Sequence, residues 1–377
     1  MKTAVFNYQQ ERGWSVPTFP QLDSENTLVL TFGSRNGFAD GAFLENLSNA
    51  YPTAHFLGCS TSGEVLGTSI MDDSVVVAIC RFDSTRLRSA VAPIQTSKES
   101  FAVGNRLVHD LLAPDLRGVF VLSDGMCVNG SELVNGFNQA LPPDTVITGG
   151  LAGDGDRFQK TWILRQRQRV NGYVSAIGFY GDRIKIGHGS KGGWDVFGIE
   201  REVTRSEENV LYEIDGRSAL SLYKEYLGEL AAGLPANALL FPLSLRRGKT
   251  DNAGLVRTIL SIDEKAQSMT FAGDIPLGSH VRFMRANFDR LVDGAMEAAQ
   301  LARKDSGEEC LAIAISCVGR RLVLRDRAEE EIEAVRDSLP ASAHLIGFYS
   351  YGEISPSANG RCELHNQTMT LTTLSET

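Results

Sequence analysis

His55-Phe56-Leu57-Gly58-Cys59-Ser60-Thr61-Ser62-Gly63-Glu64-Val65 is written again, far along the chain, as His344-Leu345-Ile346-Gly347-Phe348-Tyr349-Ser350-Tyr351-Gly352-Glu353-Ile354. His, Gly, Gly and Glu keep their offsets. A looser version lies between them, Val146-Ile147-Thr148-Gly149-Gly150-Leu151-Ala152-Gly153-Asp154. Each reads as an apolar strand entering a glycine, then small residues, then glycine and a carboxylate. Repetition of this kind exposes architecture before any single residue does.

The segments around the phrases repeat as well. Before the first come a strand, Leu28 to Phe32, and an amphipathic helix from about Gly37 to Ala50, with Phe38, Ala42, Leu44 and Leu47 on its inner face. After it, Ser74 to Phe82 is apolar without alternation, the mark of a strand covered on both faces. The second block runs strand Leu87 to Ile94, helix, strand Gly118 to Leu122, helix, phrase, then strands at Trp162 to Leu164, Tyr173 to Phe179 and Ile184 to Gly187. Thr96 with Glu99 has capping-box spacing, and Ser131 is placed to cap the next helix. Gly189 to Gly216, charged from Glu200 to Glu208, reads as a segment crossing between halves. A helix from Arg217 to Leu227 and short strands at Leu239 to Leu243, Val256 to Ser261 and Met269 to Phe271 follow. The last block repeats the second: strand Val281 to Met284, a helix from Phe288, strand Leu311 to Ser316, a charged helix Arg327 to Ser338, phrase, and strand Met369 to Leu374. The expectation is an α/β protein of two related lobes, each a mixed β-sheet with packed helices, arising by internal duplication.

The 377 residues carry a net charge of -9, which argues against binding nucleic acid or anionic lipid. No apolar run is long enough to span a bilayer, and Met1 to Val16 has no signal-peptide core. The six cysteines are scattered with no C-x-x-C pair, so a reducing cytoplasm is the expected location.

The glycine-rich phrases, together with the closing stretch Leu364-His365-Asn366-Gln367-Thr368-Met369-Thr370, resemble those of FIST-domain proteins. The resemblance spans nearly the whole chain and implies an N-type sensory module over 1–189 and a C-type module over 190–377. Family members are sensory modules thought to bind small ligands such as amino acids. They are often fused or genetically linked to signalling output domains. No kinase, receptor coiled coil or cyclase stretch is read here, so the chain is similar to the stand-alone members. Some of those are haem proteins that sense nitric oxide and control a histidine kinase or a cyclic-di-GMP enzyme, as in a two-component system.

The expected ligand contacts are Cys59, Ser60, Gly63 and Glu64 from one lobe, Gly153 and Asp154 from the middle, and Tyr349, Tyr351, Gly352, Glu353, His365 and Asn366 from the other. Strand ends are where open α/β sheets bind ligands. Tyrosines give walls with polar tips, and carboxylates suit an ammonium or guanidinium group. The bland alternative is that Glu64, Asp154 and Glu353 accept bonds from nearby amides and only hold turns. Haem would need an axial ligand, and His365 is the candidate; no other cofactor and no metal is indicated, because no cluster has ligand spacing.

Enzyme motifs come close and fail. Gly248-Lys249-Thr250 resembles the end of a P-loop, but Leu243 stands where its first glycine belongs. Gly58 to Gly63 is off register for a nucleophile elbow. Cys59 and His55, four apart on a strand, are separated by about 13 Å. A thiol-dependent enzyme using Cys59 needs its histidine from elsewhere and is the lesser alternative to a sensor without turnover.

Overall fold

The computed structural model describes residues 1–34, 41–248, 254–305, 307, 309–357 and 360–377. The expectation that helix Gly37 to Ala50 uses Phe38 lies partly outside the described residues, as do Lys249 and Thr250. The α/β class and the related, helix-covered mixed sheets hold, and the repetition extends to a third copy. Repeat I is Lys2–Gln9, Thr27–Gly33, α1 (Ala42–Ala50), His55–Ser60 and Ser74–Arg81. Repeat II is Arg86–Pro93, α2 (Ser100–Leu111), Leu116–Ser123, α3 (Gly130–Ala140), Val146–Leu151 and Tyr173–Tyr180. Repeat III opens with Ile184–Lys191. After an insert that carries α4 (Ala219–Leu227), it resumes with α5 (Phe288–Arg303), Leu311–Cys317, α6 (Val318–Leu324), α7 (Ala328–Ser338), His344–Ser350 and Met369–Glu376.

Register proves the equivalence. In each repeat the phrase strand runs parallel to the strand before it, with its first glycine opposite Thr31, Val121 or Ala314. A Cβ on Gly58, Gly149 or Gly347 would strike that neighbour's carbonyl oxygen at 2.5, 1.8 or 1.9 Å. Glycine is required there by the closeness of two backbones.

Each phrase ends in a hairpin that leaves its own sheet. Glu64–Leu66 and Ser69–Met71 of repeat I add to the His344–Ser350 edge of repeat III. Ile163–Arg165 and Gln168–Val170 of repeat II add to repeat I, and Gly352–Pro356 and Cys362–His365 of repeat III add to repeat II. The exchange is cyclic and closes a ring of three sheets.

Alternation along the strands explains the two buried faces. Leu28, Leu30 and Phe32, Phe120 and Leu122, and Ile313 and Ile315 point into one shared interior. Val29 points outward to α1, Val119 and Val121 to α2 and α3, and Ala312 and Ala314 to α5 and α7. Each large apolar side chain so buried contributes about 1.5–3 kcal/mol.

The charged stretch from Glu200 differs from its expectation. It belongs to one long strand, Asp195–Glu207, which enters an antiparallel inserted sheet instead of merely crossing. Its burial follows no clean alternation, which hid it. The insert has its own core of Val203, Leu211, Tyr223, Leu243, Phe271 and Phe283. The stretch Leu239 to Leu243 is a 3-10 turn, Ala236–Leu240, followed by strand Leu243–Arg246. Helix α3 is capped by Asn129, whose Oδ1 accepts from the Glu132 amide at 3.1 Å, and the Ser131 hydroxyl has no partner. Thr96 makes no side-chain cap; Glu99 alone reaches back, to the Gln95 amide. No described helix is long and apolar enough to cross a membrane.

Candidate functional site

The three phrases meet corner to corner at one end of the ring. The Ser62 amide donates to Tyr349 O at 2.8 Å and the Tyr349 amide to Gly63 O at 2.9 Å. The Gly153 amide donates to Ser60 O at 2.9 Å, and the Tyr351 amide to Leu151 O at 3.3 Å. Gly153 is needed here, since a Cβ would lie 2.4 Å from Ser62 Oγ.

The carboxylates beyond the glycines point inward. Glu64 is fully buried and accepts from the Thr61 hydroxyl, from the Ser74 amide at 3.2 Å and from Ser74 Oγ at 2.7 Å. Glu353, also fully buried, accepts from Ser350 Oγ at 2.7 Å and the Thr368 amide at 3.3 Å. Both partners occupy matching places, three residues before the acid and at the entry of the final strand. Burial pushes each carboxyl up to about 8, so both hold a proton at neutral pH. Asp154 instead accepts from Arg157 Nε and Nη2, at 2.9 and 2.7 Å, and from the Lys160 amide at 3.1 Å. All three acids therefore do hold turns.

A cleft of about 1040 Å³ opens beside these corners. Its floor is Thr61, Ser62, Gly63 and Glu64, with Gly155 to Arg157 at one side. Helix α6 forms a wall, and Ala236, Asn237, Leu239 and Leu240 of the insert form the roof. Arg321 on α6 clamps this floor. Its Nη1 donates to Ser62 O at 2.8 Å and to Asp72 at 2.7 Å, and Nη2 completes a bidentate pair with Asp72 at 2.7 Å. The guanidinium lies 5.4 Å from the Tyr349 ring centroid and holds Asp72 below the usual carboxylate range. A Cβ on Gly63, at φ +128°, would collide with Arg321 Nη1 at 2.3 Å.

Helix α6 is fixed from behind. Arg320, fully buried, pairs with the equally buried Glu331 at 2.8 Å and also donates to the carbonyls of Gly192 and Leu291. Ser316 and Tyr349 hydroxyls donate to the other Glu331 oxygen at 3.0 and 2.8 Å. A buried charge pair is tolerable only with its remaining valences filled, as they are here. Gly192 stands just before the insert, so the cleft wall and the entry to the insert share one network.

The remaining expected contacts are distributed over other places. Cys59 lies in the shared interior, and burial drives its thiol well above the ordinary value. It cannot serve as an accessible thiolate, which removes the thiol-enzyme reading. His55 bonds Ser89, not Cys59. Ser60 Oγ accepts from the Trp162 amide at 2.9 Å. Tyr351 and Gly125 face a second cavity of about 520 Å³, while His365 faces a third of about 580 Å³. Gly352 and Glu353 sit in the ladder beside Leu151 and Gly150.

His365 donates from Nε2 to Ser355 O at 3.0 Å, and burial lowers its ring to about 4. That bond orients the ring and occupies Nε2, so a metal could be met only through Nδ1 of the neutral imidazole. Asn366 Nδ2 donates to His365 O, and its Oδ1 has no partner.

The model described as the FIST N domain matches residues 27–217, and the FIST C domain matches residues 219–356. The chain is a FIST-domain protein. FIST domains are associated with signal transduction and small-ligand sensing. An uncharacterised protein of Methanocaldococcus jannaschii is 25% identical over 336 residues, 82% of this chain; the chain spans 62% of that relative's length. The crystal structure of cyanuric acid hydrolase from A. caulinodans superposes with a TM-score of 0.35 at 8% identity, over 93% of this chain and 89% of that one.

Two cleft arginines of this FIST-domain protein, Arg157 and Arg321, were not singled out from sequence. Arg157 follows the looser phrase by three residues, and Arg320-Arg321 begins three residues past the buried strand end at Cys317. That placement of charge, a few residues past an apolar strand end, is the signal that could have found them.

Proposed function

We propose that this FIST-domain protein is a sensor without turnover that binds a small zwitterion, such as an amino acid, in the cleft beneath the insert. The carrying observation is that one cavity has walls from repeat I, the strap after Asp154, helix α6 and the insert, with charges of both signs. Beside the Arg321–Asp72 and Arg157–Asp154 pairs, Arg325 suits a carboxylate and Asp156 an ammonium group. A ligand touching all four parts favours one arrangement of insert and ring over others. The Arg320 network then ties that arrangement to Gly192. The output is read by a separate protein in the cytoplasm, a histidine kinase or cyclic-di-GMP enzyme by family resemblance. The all-free cysteines support that location.

Thermal-shift and calorimetric screening with amino acids and organic acids tests the reading. The expected result is stabilisation by at least one zwitterion, lost in Arg321→Ala. Failure of every zwitterion to bind would remove the proposal. A Soret band in the purified protein would favour the haem nitric-oxide sensor instead.

A further inference from the structure

The cavity of about 520 Å³ on the other side of the Asp154 strap has a different character from the cleft. Gly155, Asp156 and Arg157 line the cleft, whereas the next residue, Phe158, lines this second chamber. Phe158 is 43% exposed and sits at φ +50°, a conformation that a bulky side chain adopts only under constraint. Its ring lies flat on Tyr351, with centroids 4.4 Å apart and planes 15° apart. The Tyr351 hydroxyl accepts from the Phe158 amide at 3.2 Å, which fixes the plate. Glu208, across the chamber on the insert, also has positive φ, at +50°. Glu208 takes that φ in the two-residue hairpin turn between Glu207 and Val210, where it is ordinary, so Phe158 is the strained position of this chamber.

The charge of the lining is one-sided. Glu208 and Asp274 contribute carboxylates and Asn129 and Asn209 amides; among the described residues no Lys or Arg lines the chamber. Asp274 accepts from Asn129 Nδ2 at 2.8 Å through one oxygen only. Arg257 lies buried behind Gly273, donating to the carbonyls of Asp274, Val256 and Leu364. Asp274 balances it, and Glu208 is left in excess. Met126 and Leu260, 42% and 46% exposed, supply apolar rim.

We propose that this second chamber binds an aryl cation: an aromatic ring stacks over the exposed face of Phe158 while its ammonium or amidinium group meets Glu208. The stacked ring and the carboxylate act on different ends of one ligand. The site is separate from the zwitterion cleft, and the strap between them lets each occupant bias the other.

Calorimetry with tryptamine, phenethylamine and benzamidine, against the anions indole-3-propionate, 3-phenylpropionate and benzoate, tests the proposal. At least one cation should bind, and at least tenfold more tightly than its anionic counterpart. Phe158→Ala, at a half-exposed position, should weaken that cation about tenfold or more. Glu208→Gln should narrow the gap between cation and anion. Arg321→Ala should leave cation binding unchanged, so loss of the cleft site and loss of this site are told apart. Equal binding of cations and anions, no binding of any cation, or binding insensitive to Phe158→Ala would each overturn it. If Phe158→Ala unfolds the protein, Glu208→Gln decides the matter alone.

Discussion

The corners of repeats I and III hold the same acid in the same way and differ in what lies beyond it. Glu64 and Glu353 each take a hydroxyl three residues back and an amide at the start of the final strand. Glu64 borders the large cleft; Glu353 lies against Cys317 and the Arg320 network. Repeat II holds a shorter acid, Asp154, with an arginine as partner. Equivalent positions in a ring thus serve one shared structural need, and at Glu64 the insert covers the corner to form the large cleft. The difference teaches that function here follows the surroundings of the corner, not the corner itself.

The sharpest way to break this comparison is truncation of the two glutamates. Glu353→Ala leaves the fully buried Ser350 Oγ and the Thr368 amide without an acceptor, and should cost about 2–4 kcal/mol. Glu64→Ala should cost about 1–2 kcal/mol, because water from the cleft can reach the vacated partners. Urea unfolding of both variants checks the order, and a reversed order would sink the distinction.

A second measurement asks whether the two acids remain alike in their protons. Their folded values are about 8, against an ordinary 4.5, so the folded chain holds each proton longer than the unfolded chain does. The stabilisation is complete below about pH 4.5 and is lost as pH rises to about 8. The slope approaches roughly 1.4 kcal/mol per pH unit for each group. Stability measured from pH 5 to 8 should fall, and should fall less steeply in Glu64→Gln. An unchanged slope in that variant would mean that Glu64 ionises normally.

The smallest effect belongs to repeat II. Asp154 is fully buried but keeps the Gln159 and Lys160 amides, and water can reach the place of Arg157, which is 42% exposed, so Arg157→Ala should cost about 1 kcal/mol. A larger loss in urea unfolding would show that the strap, and not solvent, carries that charge.

Much of the ring was legible because its signals are local. The phrase glycines, the uninterrupted run at Ser74–Arg81 and the helix periodicities all report two-sided burial directly. The third copy was visible only as a looser phrase, since Val146 replaces histidine and Asp154 replaces glutamate. The hairpin exchange could not be read, because pairing between distant edges leaves no mark on either segment. Helix α6 was missed for its seven residues and its paired arginines, one of which is buried by a partner on α7. The bland reading of the carboxylates as turn holders was right about their bonds. The cleft beside them depends on the insert, whose irregular strand Asp195–Glu207 gave little pattern to follow.

The traded hairpins make each repeat unable to stand alone. A single copy would carry one bare sheet edge and one ribbon with nowhere to dock, both prone to pair with any neighbour. Three separate copies could satisfy each other by the same handshake, as a homotrimer. The smallest self-sufficient object built from this motif is the whole circle, and this chain is that circle strung on one thread, free to let one segment grow an extra lobe while the others keep the geometry.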